Sequence, residues 1–424
     1  MACPHAALKR PETWATIFLA LTLFLMTLWR FGANQCLILF VLVVLCAPTL
    51  RQRLFKRAYL LQPKYIAIYL FLAWALITVS YSQASPVWHA LDGFKAYAKL
   101  LLFLLIPVAI RSSSVSITSP GASIASPGVI LANAGVQSNC PLHYWLEQAL
   151  ILGVLINVIL STLYFFQIFA PHLQPHISMN ATFEINPLQL IFVVAIALWI
   201  LATRFFERRF AWHDIVIFVI LTIYLWGINI ERSGYLLFLA LALVLAWQYG
   251  HQKWFALVAC ALPIFCIALY FAVPQLKARV DLGVQNVEAF SQVSNVTEIG
   301  VNNSLGLRLA FAAESFQEIK LHPLLGTGLG SFKTVYDQKY NPDPRQVQIN
   351  DPHNAYTYVA FELGLIGLAL YLYCLYRLFP HTHHANGIWW AFMVMGLVDS
   401  GLVLNAVALS FIVLAALSFT PGDI

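Results

Sequence analysis

Long apolar runs recur along the chain, from LALTLFLMTLW at residues 19–29 to the stretch that precedes Ile424. They are apolar all round rather than alternating. Each therefore suits an α-helix in lipid, where backbone amides and carbonyls must be satisfied within their own segment. A β-barrel would need alternating segments of about ten residues with polar inner faces. Charge points the same way: Asp, Glu, Lys and Arg make up 10% of the residues, against roughly 25% in an ordinary soluble domain. A water-soluble enzyme, a secreted disulfide scaffold and a nucleic-acid binder are thus excluded for the chain as a whole. The cysteines at 3, 36, 46, 140, 260, 266 and 374 show neither a disulfide framework nor zinc spacing.

The expected fold is all-α, a polytopic membrane bundle of about 12 transmembrane helices. The spans are read at roughly 14–30, 36–50, 64–82, 97–110, 143–169, 187–203, 213–230, 235–249, 254–273, 354–376, 388–402 and 403–419. Nine spans and a Ser-rich loop at 111–142 occupy residues 1–273; a long outer segment covers 274–353; three spans fill 354–424. With a cytoplasmic N-terminus, the RQRLFKR cluster at 51–57 and the RFFERR cluster at 204–209 lie on the inner side, as the positive-inside rule demands. Both termini are then cytoplasmic, and the first span is expected to be retained rather than cleaved. The 111–142 loop, rich in Ser, Gly and Pro, cannot bury a core and is assigned no chemistry.

A connection as long as 274–353 usually carries function. Within it Leu305, Leu309, Ala312, Phe316 and Ile319 repeat at helical spacing before Pro323, which predicts an amphipathic helix able to lie on the membrane or cap a cavity. The following INDPHNAYTYVAFELGLIG, from residue 349, offers Asp351 as N-cap and Pro352 at the first helical position. His353 would then sit in the first turn of the tenth span. There the positive end of the helix dipole disfavours the imidazolium and leaves a nitrogen free to accept a proton. A histidine that only satisfies a backbone group fits the same position.

Arg232 precedes Ser233 and Gly234 at the start of the eighth span, on the outer face. A guanidinium and helix N-terminal amides would converge there on a phosphate, although pairing with Glu231 or lipid contact also fits. Arg308 lies beside the amphipathic stripe, facing the same cavity or solvent. Asp399, near the outer end of the eleventh span, is expected to face the bundle interior with a partner, such as an arginine. Lys95 and Lys99 lie at the outer end of the fourth span, where snorkelling explains them well. GTGLGS at 326–331 lacks the Lys-Ser/Thr and the strand of a phosphate loop and reads as a turn. HTHH at 381–384 sits on the inner side, away from the other candidates; His172 and His176 are flanked by Pro171 and Pro175, which argues against a helical metal site.

From Arg308 through HPLLGTGLGSF to PHNAYTYVAFELGLIG, together with Arg232-Ser233-Gly234, the chain resembles the O-antigen ligase and polymerase superfamily, and the resemblance extends over most of it from about residue 187. What the resemblance implies is a glycosyltransferase on the periplasmic face of the Gram-negative inner membrane. It would pass O-antigen polysaccharide from undecaprenyl diphosphate to the lipid A-core acceptor. His353 would be the base, Arg232 and Arg308 would hold the diphosphate, and Asn354, Asp399, Lys95 and Lys99 are further candidates. No Asp-x-Asp pair is present to recruit a metal, so metal-independent, inverting transfer without a cofactor is expected. Partners would be the lipid-linked glycan, the lipid A core and membrane lipids, with no nucleic acid. An O-antigen polymerase or a protein O-oligosaccharyltransferase shares the donor; the protein-modifying members carry a C-terminal extension, whereas this chain ends just after its last span. A flippase for lipid-linked sugars is the alternative from another class, but it would keep its charges near mid-membrane.

Overall fold

The computed structural model describes residues 10–85, 88–110, 141–166, 168, 186–228, 231–250, 274–292, 304–339, 351–380 and 382–419, with scattered residues between 260 and 272. Residues 111–140, the pair His172 and His176, and His381 fall outside them. The described residues are all-helical. In chain order the helices are α1 (Pro11–Leu25), α2 (Arg30–Cys46), α3 (Pro48–Leu54), α4 (Pro63–Val79), α5 (Trp88–Ala98), α6 (Leu102–Ile110), α7 (Pro141–Phe165) and α8 (Pro187–Phe206). There follow α9 (Trp212–Ile223), α10 (Arg232–Tyr249), α11 (Pro274–Gln292), α12 (Ser304–Leu321), α13 (Phe332–Lys339), α14 (Ala355–Arg377), α15 (His383–Val398) and α16 (Asn405–Ala416).

Among the described residues, four helical stretches are long and apolar enough to cross a bilayer: Trp88–Ile110, Tyr144–Phe165, Pro187–Phe206 and Ala355–Arg377. Phe31–Cys46 and Pro48–Leu54, bent by 83°, make a fifth if counted as one span. Shorter apolar helices of 10–17 residues accompany them. Outward faces of α2 and α9 expose Ile38, Leu42, Ile215 and Val219, a cost in water that vanishes against lipid. The chain is a multi-pass membrane protein. Its centre is α8, started by Pro187 and by Asn186, whose side chain accepts from Leu188 N. Every residue from Leu188 to Leu201 is buried, as an all-apolar helix inside a bundle should be. At its end buried Arg204 meets Glu147 at 2.7 Å and Asp214 at 3.4 Å, which satisfies a charge that α8 alone would strand.

One irregularity positions the site. Helix α14 is broken at Gly364, whose φ of 69° lies in the left-handed region. The break frees carbonyls and amides that the α-helical ladder would have paired, and residues 323–328 take them up. Thr327 N donates to Phe361 O (3.0 Å), Gly328 N to Glu362 O (2.9 Å) and Leu365 N to Pro323 O (2.8 Å). Trp74 Nε1 donates to Leu363 O (2.9 Å), and Phe332 N at the start of α13 donates to the Glu362 carboxylate (3.3 Å). GTGLGS is therefore a turn, as its sequence suggests, and its task is to dock the segment that carries α12 and α13 against α14.

Helix α12 forms where expected but turns the other way. Its buried face carries Ala310, Phe311, Glu314, Ser315 and Glu318, while Phe316 from the expected apolar stripe is 58% exposed. Glu318 holds the inner face because a partner waits there: Lys339 of α13 donates to both of its oxygens at 2.8 Å. The stripe of Leu305, Leu309, Ala312, Phe316 and Ile319 is left half-buried or exposed.

Candidate functional site

His353 stands outside helix α14 and not in its first turn. The N-cap is Asn354, whose side chain accepts from Tyr356 N (3.0 Å) and Thr357 N (2.9 Å), so Asp351 does not cap and Pro352 is not the first helical residue. Asn354 wins this competition because its amide also donates to Leu397 O (3.0 Å), tying the start of α14 to the end of α15. His353 takes a left-handed backbone (φ 53°), unusual for a residue with a Cβ. Its amide donates to Asp351 Oδ1 (2.9 Å), a local turn that holds it there. Strain held by its surroundings is characteristic of functional positions.

Two carboxylates face the imidazole. Nδ1 lies 3.5 Å from Asp399 Oδ1 and 3.6 Å from Asp351 Oδ1. Asp399, expected to sit within a span and to pair with an arginine, instead ends α15 as its C-cap and meets the histidine. Ser400 joins the two acids: its hydroxyl donates to Asp351 Oδ1 (2.9 Å) and its amide to Asp399 Oδ1 (2.7 Å). Facing Asp399 raises the imidazole above its ordinary pKa; burial opposes this, Asp351 adds to the rise and the nearby Arg308 lowers it. Carboxylates rather than helix amides therefore face Nδ1, so the helix dipole is not the main influence on the imidazole. With Nδ1 turned towards the two carboxylates, Nε2 is the ring nitrogen left to accept a proton. The ring of Phe311, from α12, lies 6.3 Å from the imidazole and forms one wall.

Of the other sequence candidates, half-buried Arg308 on α12 is close enough to act electrostatically on His353. Arg232 opens α10 as expected, but its side chain falls outside the described residues. Ser233 behind it is buried, and a Cβ on Gly234 would meet Leu225 Cδ1 at 2.9 Å, so these small residues allow close packing there. Lys99 Nζ donates to Leu402 O (2.9 Å), bracing the connection that begins with Asp399 and Ser400. Lys95 points to solvent, paired with Asp92 at 2.6 Å. Sequence reasoning missed Ser400, and took Asp351 for a cap. The signal was the polar Asp399-Ser400 pair between two apolar stretches.

Glu314 lies one helical turn beyond Phe311, buried beside Tyr336 of α13. Burial lifts its carboxyl to about 7, against a hydrogen bond from Tyr336 that lowers it. Since the folded chain holds the proton more tightly, Glu314 contributes stability that is fully present below its ordinary value of 4.5 and is lost as pH rises through about 7. Glu314→Gln is expected to remove that loss and to stabilise the protein at pH 8 by about 2 kcal/mol. Thermal unfolding at pH 5 and 8 checks this; the same fall with pH in the variant would contradict it.

Residues 216–372 match the O-antigen ligase family model, a segment that holds Arg232, Arg308 and His353. The match supports placing the chain in the O-antigen ligase superfamily, whose members are membrane glycosyltransferase-type enzymes. No match is found among curated proteins.

Proposed function

We propose that this member of the O-antigen ligase superfamily is an O-antigen ligase, transferring a glycan from undecaprenyl diphosphate to a sugar of the lipid A core on the periplasmic face of the inner membrane. The single observation that carries the reading is the set Asp351, His353, Asp399 and Ser400, gathered from two separate parts of the chain beside Arg308. His353 Nε2 takes the proton of an acceptor hydroxyl. The acceptor oxygen attacks the anomeric carbon from the face opposite the diphosphate, and the bond to the diphosphate breaks with inversion. Asp399 stabilises the imidazolium as it forms. Arg308 and Arg232 meet the charge of the departing diphosphate. About 12 spans, with 274–353 on the periplasmic side, would place this group at the periplasmic interface of the inner membrane.

A second reading rests on one observation: the ligand atoms of Asp351, His353 and Asp399 lie within 4.8 Å of one another, close enough to hold a cation. The first is favoured because the carboxylate oxygens nearest Nδ1 already accept hydrogen bonds from Ser400 and from the His353 amide. Purified protein, given lipid-linked O-polysaccharide and lipid A-core, is expected to form ligated product on a gel and to keep doing so in excess EDTA. Loss of transfer in EDTA, restored by Mg²⁺ or Mn²⁺, would select the metal reading. Elongation of the lipid-linked glycan without transfer to core would make the protein a polymerase.

A further inference from the structure

Helix α13 has two working faces. Phe332, Val335 and Tyr336 point inward to the aromatic cluster with Phe311 and Tyr358, the wall behind His353. The opposite face borders an open cleft of about 210 Å³, lined by Ser85, by His89 from the first turn of α5 and by Lys333, Thr334, Asp337 and Gln338. All of the lining side chains are polar, and they supply hydroxyl, imidazole, amide, ammonium and carboxylate groups. Thr334 fixes the two walls together, since its hydroxyl accepts from Ser85 N at 3.1 Å.

Charge decides what the cleft suits. Lys333 and Asp337 pair at 2.8 Å, both about one-third exposed, so they largely cancel. A free phosphate gains little there, unlike beside Arg308. A ligand rich in hydroxyls gains most, because it can give to the carboxylate and accept from the ammonium and amide, and bonds to charged groups are the stronger ones. Trp88, adjoining His89 in sequence and 71% exposed, offers an aromatic face of the sort that packs on the C–H side of a sugar ring. The cleft and the His353 wall are separated by one helix, about 10 Å across. A glycan whose reacting end sits at His353 can therefore reach over α13.

We propose that this cleft is a saccharide subsite, holding sugar residues away from the bond that reacts. The proposal rests on the glycan-transfer reading, and the sugar could belong to the acceptor core or to the donor polysaccharide. Binding of delipidated core oligosaccharide and of delipidated O-polysaccharide to purified full-length protein, followed by calorimetry, separates the sources. The unsubstituted protein is expected to bind one of them, and Lys333→Ala/Asp337→Ala, which keeps the net charge, should weaken that binding about tenfold. Gln338→Ala, at an exposed position, should weaken it about threefold without disturbing the inner face of α13. Undiminished binding in both variants, or no binding of either sugar by the unsubstituted protein, would overturn the subsite. The readout needs no turnover: sugar bound without transfer would sink the ligase reading and leave the cleft standing, whereas active transfer with undiminished binding in the variants would do the reverse.

Discussion

His353→Ala is expected to lower glycan transfer by about 10²- to 10⁴-fold while leaving binding of the lipid-linked donor nearly intact. The alanine removes the proton acceptor but none of the positive charge that holds a diphosphate. Arg308→Lys should divide the effects the other way. It keeps a charge and loses the two-pronged fork, so donor affinity suffers more than the transfer step. Asp399→Asn tests the pair from the acid's side. Asp399 is the largest influence raising the His353 pKa, so its loss should move the acid limb of the pH–rate profile to lower pH. Transfer at neutral pH should still fall by about 10², because the forming imidazolium loses its counter-charge. A purely structural acid would leave the limb in place. Near-normal transfer by His353→Ala would remove the base assignment, and an unmoved limb in folded Asp399→Asn would uncouple the two residues.

Those residues were legible in the sequence to different depths. A membrane bundle followed from charge depletion and from runs with no polar side, features that any local window reports. His353, Arg308 and Asp399 stood out because ionisable groups beside apolar helices are costly and need a reason. Their arrangement was not legible. In Asp351-Pro352-His353-Asn354 the local rules point to Asp351, the cap followed by proline. The choice falls to Asn354 through its bond to Leu397, 43 residues away. Once the helix starts later, His353 leaves the dipole and meets carboxylates instead. Helix α12 fails in the same manner: periodicity ranks Phe316 above Glu314 and Glu318, yet partners on α13 draw the acids inward. Local patterns count apolar residues and cannot see a distant Lys339.

Gly328→Ala should be among the most damaging single changes outside the charged residues. Gly328 has φ 93°, a conformation that L side chains rarely adopt, and an added Cβ would lie 2.2 Å from Ser82 Cα. That contact is with backbone, so no rotamer change relieves it. Strain and clash together should cost at least several kcal/mol, a large share of the roughly 5–15 kcal/mol that holds a fold. What undocks is the segment that completes the broken helix: without the bonds from Thr327 and Gly328, the carbonyls of Phe361 and Glu362 lose their partners where α14 is buried. The segment that carries α12 and α13 would then part from α14, taking Arg308 and Phe311 from beside His353. Transfer is expected to drop below about 1% of the unsubstituted protein, with less folded protein recovered. Gly227→Ala is the matched control, since a Cβ there meets nothing within 4 Å. A normal thermal midpoint and normal transfer in Gly328→Ala would mean that the docked turn does not hold the site, and the structural role assigned to GTGLGS would fail.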